Sequence, residues 1–384
     1  MRVSIVFTIL LAMVFLRETA DSQETIEPKT DVKTIATLFT SDEGFVFDAR
    51  IVLPPKGIRN GYGVLMIGGG VGNDLNWSSP GFYEYQGNRT QYTISGKTHA
   101  DAPVIAASLA SEGYVVMYWS TIRQTDPKRD KWPNEATVYP VKDLLRFLKS
   151  AIVEFRSKGL FEQGKLVLLG HSMGAIRAAN IAARDDRVKA LVLLASAQLT
   201  RTDISDTGRN MNKQNARELA KSIDTNGDGV CNGREFLDWS QDGGNRDHPL
   251  ANQPFESLDF HPDKELNSWE ISAGLARHKR SIADLDDFPN LDGTGMQWTE
   301  DILSTKKIDT LIVYGTLDEA QAHHAPIIAD LVKSRKLYHV DLKILPGVGH
   351  QLGPEVNGLI GPISQHACQT IVDWLQLKTR DRSK

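Results

Sequence analysis

Six apolar blocks recur along the chain as near-continuous runs: Val64–Ile67, Tyr114–Trp119, Lys165–Leu169, Ala190–Ala195, Thr310–Tyr314 and Val340–Leu345. A strand covered on both faces reads this way, whereas a strand with one wet face alternates. Between the blocks the period changes. Tyr139–Phe155 is apolar at Val141, Leu144, Leu145, Leu148 and Ile152, the spacing of one helix face. Val104–Ser111 stops at Glu112-Gly113, Ala175–Ala183 is small and Ala-rich, and Ala325–Ser334 and His366–Leu377 complete the helices. Ahead of them, Thr34–Phe39 and Phe45–Leu53 flank Ser41-Asp42-Glu43-Gly44 and predict an antiparallel hairpin. Strands alternating with helices predict the α/β class, with a mostly parallel central sheet and helices on both faces.

The segment 197–308 breaks this rhythm. It is rich in Asp, Asn and Gly and holds Trp239, Trp269 and Trp298. An αβ unit needs only about 30 residues, and structureless loops of this length are uncommon. An inserted cap is therefore predicted at 197–308, on a core formed by 23–196 and 309–377. No internal repeat or low-complexity tract stands out. At the N-terminus, Arg2 precedes the apolar run Val3–Leu16, and Ala20-Asp21-Ser22 offers small residues for cleavage. A run of about 14 residues rises only about 21 Å as a helix, short of a bilayer core of about 30 Å. Residues 1–22 are expected to be a cleaved signal peptide, which makes the mature chain secreted or periplasmic, with no membrane span. Residues 378–384 form a short charged tail.

Composition adds exclusions. With 41% hydrophobic and 24% charged residues the chain is an ordinary globular protein rather than a disordered one. A net charge of −4 gives no electrostatic reason to expect nucleic acid as a partner. Two cysteines, Cys231 and Cys368, allow neither a disulfide scaffold nor a zinc cluster. They could pair in an oxidising compartment, although they fall in different elements. Asn76-Trp77-Ser78 and Asn88-Arg89-Thr90 fit glycosylation acceptors of a eukaryotic secretory pathway.

The strongest chemical signal lies in Lys165-Leu166-Val167-Leu168-Leu169-Gly170-His171-Ser172-Met173-Gly174-Ala175. Gly-X-Ser-X-Gly alone is a weak pattern. Here an apolar strand precedes it and a small-residue helix follows, the context of a nucleophile on a tight strand-to-helix turn. Serine needs a base, and the base an orienting acid. Asp318 follows the strand Thr310–Tyr314, and His350 follows Val340–Leu345 through Pro346-Gly347-Val348-Gly349, so both fall on the sheet edge that carries Ser172. His323, His324 and His366 compete for the base but follow no strand directly. The His323-His324 pair reads as a polar loop rather than a metal site. Asp203 is the rival acid, and His171 is expected to pack beside the nucleophile. Two backbone N–H groups should hold a developing oxyanion. Met173 supplies one; Gly69 or Gly70, with Gly70 preferred, supplies the other from Gly68-Gly69-Gly70-Val71-Gly72-Asn73-Asp74. That loop lacks the Lys-Ser/Thr of a phosphate-binding loop.

With these residues the chain, from about Thr34 to Leu377, resembles the α/β-hydrolase superfamily. The Gly68–Asp74 loop and Ser111–Trp119 look like the acylesterases near the dienelactone-hydrolase and serine-aminopeptidase branches, although Gly68 stands where many members carry His. The resemblance implies hydrolysis of carboxylic esters, thioesters or amides through an acyl-enzyme, with a small-molecule acyl substrate and no organic cofactor. A peptidase or an acyltransferase of the same fold is the alternative, and an inactive calcium-dependent binding module the more distant one.

Calcium enters because of Asp224-Thr225-Asn226-Gly227-Asp228-Gly229-Val230-Cys231-Asn232-Gly233-Arg234-Glu235. It resembles the twelve-residue EF-hand loop at every ligand position. Asp224, Asn226 and Asp228 would give side-chain oxygens, Val230 its carbonyl, Asn232 a water-mediated contact and Glu235 two oxygens. Cys231 stands where an aliphatic residue usually packs between paired loops. No second loop is evident, since Asp284–Asp292 has the wrong spacing. A lone loop acting as a structural staple is expected.

Overall fold

The computed structural model describes residues 31–69, 74–80, 82–85, 88–124, 141–196, 216–228, 230–246, 248, 250–259, 264–267, 270–271, 297, 299–318, 321–356 and 359–379. The signal-peptide expectation for 1–22 lies outside them. Eight strands form the central sheet: β1 Lys33–Thr40, β2 Val46–Leu53, β3 Gly63–Ile67, β4 Val115–Arg123, β5 Leu166–His171, β6 Val188–Leu194, β7 Asp309–Gly315 and β8 Val340–Leu345. Their spatial order is β1-β2-β4-β3-β5-β6-β7-β8. β1 and β2 form the predicted hairpin, β2 meets β4 antiparallel, and every later pairing is parallel.

Parallel neighbours need crossovers, and helices supply them. In chain order the helices are α1 Asp101–Ser111, α2 Val141–Ser157, α3 Met173–Ala182, α4 Gly233–Gln241, α5 Phe255–Leu258, α6 Thr299–Thr305, α7 His324–Arg335 and α8 Gln365–Thr379, of which α4, α5 and α6 lie within 197–308 and α8 follows the last strand. The near-continuous apolar strands now have their reason. Leu65, Ile67, Leu166, Leu168, Leu191 and Leu193 face one core with α2, α3, α6 and α7. Val64, Met66, Val167, Leu169, Val192 and Leu194 face the opposite core with α1 and α8. Truncating one of these leucines to alanine costs about 2–5 kcal/mol. Trp119 belongs to the first core, 5.3 Å from the Phe39 ring and 5.8 Å from Phe47. It is a packing residue, not a pocket wall.

The segment 197–308 is not all insertion. Ile302 and Leu303 of α6 lie in the sheet's own core, so the chain has rejoined the hydrolase body before β7 begins. The described insertion has a separate core of Ala216, Ile223, Cys231, Phe236, Trp239, Leu250, Leu258, Leu266 and Ile271. Cys231 is buried there and Cys368 is on the buried face of α8, in a different core, so they do not pair. The loop expected to stand alone as a calcium site is not isolated. The short strand Cys231–Asn232 pairs antiparallel with Glu265–Leu266, and the loop has a neighbour. No described helix is long and apolar enough to cross a membrane.

Candidate active site

β5 ends in a turn that few side chains tolerate. Ser172 has φ 53° and ψ −123°, a positive φ that L-residues rarely adopt. The turn is tied down on both sides: Ser172 N–H donates to the Leu194 carbonyl at 2.8 Å, and Ala175 N–H to the Ser172 carbonyl at 3.0 Å. The two flanking glycines are needed for space. A Cβ on Gly170 would run into the Gly174 carbonyl, and one on Gly174 into the carbonyls of Ile67 and Gly68. Glycine at these positions lets the first turn of α3 sit directly against β5, at Gly170, and against the end of β3, at Gly174.

Two further strand ends complete the geometry. Beyond β7, Asp318 N–H donates to the Gly315 carbonyl at 3.1 Å and Leu317 N–H to Val348 at 2.9 Å, which locks the β7 and β8 loops together. Asp318 is fully buried, and Gln321 N–H donates to its Oδ1 at 3.1 Å. His350 follows β8. Its Nδ1 lies 3.1 Å from both Asp318 carboxylate oxygens, and its Nε2 lies 3.1 Å from Ser172 Oγ. A buried acceptor at Nδ1 holds the proton there and leaves Nε2 free to accept one from Ser172. The fold thus brings together three of the expected residues across 178 positions of chain. Asp203 lies outside the described residues; Asp318 occupies the place beside the base.

The loop after β3 comes to the same point. A Cβ on Gly69 would stand 2.7 Å from Ser172 Cβ and 3.0 Å from the His171 carbonyl, so this backbone passes directly over Ser172. Gly70 lies outside the described residues. Met173 opens α3, where its N–H belongs to the unpaired first turn of the helix. Arg177 had no signal in the sequence beyond its place in a small-residue helix. It is almost wholly buried, its Nη1 donates to the Gly68 carbonyl at 3.3 Å, and desolvation brings its pKa down to about 10. It therefore anchors the start of the loop from below.

His171 does more than fill space. Its Nε2 lies 3.0 Å from the His350 carbonyl, and because a carbonyl only accepts, Nε2 carries the hydrogen. The ring stacks on Trp77 at 6.1 Å and tilts against His350 at 5.2 Å. Burial pushes its pKa down to about 4, with the His350 ring adding to the effect, so it is neutral at pH 7. The His323-His324 expectation also changes. Both are buried, with rings 4.2 Å apart, at the start of α7 rather than in a polar loop.

The residues expected to bind calcium fall in the insertion. Asp224 Oδ1 accepts from Gly227 and Asp228 N–H at 2.8 and 3.2 Å, Asn226 Oδ1 from Asp228 at 2.8 Å, and Asp228 Oδ1 from Val230 at 2.9 Å. Glu235 Oε1 accepts from Thr225 and Asn226 at 3.1 and 3.2 Å, and Oε2 from Asn232 at 3.1 Å. The backbone is wound around these oxygens. Among the described residues, however, no group of three or more His, Cys, Asp and Glu is gathered closely enough to hold a metal ion. A cation would have to draw the carboxylates in. The donor chemistry fits calcium: three carboxylates, two amides and a carbonyl, all hard oxygens. Gly229 lies outside the described residues.

Comparison with curated proteins finds no sequence match. Among solved structures the chain is similar to an esterase of Pyrococcus furiosus, at 10% identity over 91% of this chain and 92% of that one, with a TM-score of 0.45. It is also similar to Est1E of Butyrivibrio proteoclasticus, at 13% identity over 89% and 98% of the two chains, with a TM-score of 0.43. A proline iminopeptidase of Mycobacterium smegmatis is similar at 16% identity over 90% and 99%, with a TM-score of 0.44. A family model matches residues 64–356, a range that includes Ser172, Asp318 and His350, and the chain belongs to the alpha/beta hydrolase family.

Proposed function

We propose that this chain is a secreted serine hydrolase that cleaves carboxylic esters through an acyl-enzyme. The carrying observation is the continuous contact from Asp318 through His350 to Ser172, each step at 3.1 Å. Ser172 Oγ attacks the acyl carbon as its proton passes to His350 Nε2. Asp318 stabilises the resulting imidazolium. The N–H groups of Met173 and Gly70 receive the oxyanion, with Gly69 the neighbouring candidate. Collapse breaks the ester bond, and the leaving oxygen takes the proton from His350. Water then attacks the acyl-enzyme by the same route, freeing the acid and restoring Ser172. The ester preference rests on the likeness of the Gly68–Asp74 loop to acylesterases.

Fluorophosphonate labelling of the mature protein, with the modified peptide mapped, tests this reading. Labelling at Ser172 supports it, and a folded, calcium-supplied protein that stays unlabelled sinks it. A panel of nitrophenyl esters against aminoacyl anilides then separates esterase from peptidase. Calcium is proposed as a structural ion of the 224–235 loop, and 1–22 as the secretory signal. Expression in a secreting host should yield a mature chain beginning at Gln23, read by intact mass.

A further inference from the structure

We propose that the segment from α5 to Ile271 is the second half of a paired two-loop unit, and that it sets the affinity of loop 224–235 for calcium. The inference rests on the calcium reading above. It starts from a register. In the antiparallel pairing, Cys231 faces Leu266 and Asn232 faces Glu265. Counted from Asp224, Cys231 is at the same place as Leu266 counted from Asp259. The same offset relates Asn232 to Asn267 and Glu235 to Glu270. The two stretches are therefore a diverged internal repeat, joined at equivalent positions.

Side chains repeat along with the spacing. Asn232 Oδ1 accepts from Glu235 N–H at 3.1 Å, and Glu235 Oε2 accepts from Asn232 N–H at 3.1 Å. In the second stretch Asn267 Oδ1 accepts from Glu270 N–H at 3.2 Å, and Glu270 Oε2 from Asn267 N–H at 3.1 Å. Both are the same reciprocal helix-start box. The apolar positions match too. Ile223 and Leu258 precede the loops, Cys231 and Leu266 join them, and Phe236 and Ile271 follow them, all buried in one core.

The two halves differ in ligand chemistry. His261 stands where the first loop has Asn226, and Lys264 where it has Gly229. Lys264 takes φ 68° in the left-handed region that glycine favours. A histidine replaces an oxygen donor and a lysine adds positive charge, so the second half is assigned support rather than ligation. The support is specific. Calcium needs the Val230 carbonyl and the turn from Asn232 to Glu235 held in place. The pairing at Cys231–Asn232 fixes the backbone between them before the ion arrives, which lowers the ordering cost of binding.

Calorimetric titration of calcium chloride into the chelator-treated, full-length mature protein tests this. The wild type should bind one ion. Leu266→Ala should weaken binding about tenfold or more, as loss of a supporting contact does at other metal sites. Leu250→Ala, a cavity in the same core but outside both loops, should change affinity by no more than about twofold. Far-UV circular dichroism checks that each variant is folded. If Leu266→Ala does not fold, Leu266→Val should still weaken binding, by less. Unchanged affinity in the folded Leu266 variants, equal weakening by Leu250→Ala, or two ions per wild-type chain would each overturn the proposal while leaving the calcium reading intact. A folded wild type that takes up no calcium would overturn both.

Discussion

Ser172 sits in backbone strained by its positive φ, and that strain has a use: it lifts Oγ clear of the strand toward His350. The chemistry then depends on which nitrogen of His350 carries the proton. Asp318→Asn keeps the shape of the contact but offers an amide N–H where a carboxylate belongs, which favours the wrong tautomer. A fall in kcat of about 10⁴ is expected, with little change in KM. An ester assay at saturating substrate checks it. His171 gives a pH signature. Its pKa falls from 6.5 in the unfolded chain to about 4 in the fold, so the unfolded state binds the extra proton between those values. The stability of neutral, buried His171 is therefore complete above pH 6.5 and is lost as pH falls toward 4. Over that window the loss is about 3 kcal/mol. His171→Asn removes this titration. Melts of wild type and variant should differ most at pH 7, and the gap should shrink steadily as the pH approaches 4.

At the scale of elements, the site is the meeting of four strand ends, and what joins them is close backbone contact. Gly174 lets the first turn of α3 rest on the Ile67 and Gly68 carbonyls, next to the loop that passes over Ser172. Gly174→Ala forces these apart. Overpacking of this kind costs about 1–3 kcal/mol, and here it also displaces the loop, so activity should fall further than stability does. Gly164, with nothing near its missing side chain, is the contrast. Gly164→Ala should shift stability by no more than about 0.5 kcal/mol. Thermal melts beside ester kinetics on both variants separate the two effects.

For the whole molecule, the hydrolase body and the insertion carry separate cores. An ion that binds the folded insertion and not the unfolded chain stabilises it by mass action, about 2.7 kcal/mol at a hundredfold excess over Kd. A chelator should lower the melting temperature, and added calcium should restore it. An unchanged melting curve would remove calcium from the account.

Much of this was readable along the chain because local pattern carried it. Apolar blocks buried on both faces announce a parallel sheet, and all six fell on observed strands. The Ser-Asp-His order was legible because each residue follows its own strand directly, so a correct sheet places all three on one edge. The anchoring role of Arg177 and the hydrogen bond of His171 were not legible. Each acts through a carbonyl distant in sequence, Gly68 and His350, and nothing in a linear pattern marks such an acceptor. The strand that pairs with the 224–235 loop was missed for a related reason. His261 and Lys264 break the motif there, while a two-residue pairing and a shared core join the two stretches. Periodicity and motif are local quantities, so the sequence by itself determined the class, the strand order in the chain and the three residues, Ser172, Asp318 and His350, that meet at one sheet edge. Which backbone lies over Ser172, which donor holds His350, where the insertion ends and which loop faces which depend on contacts across the fold, and only the tertiary structure decided them.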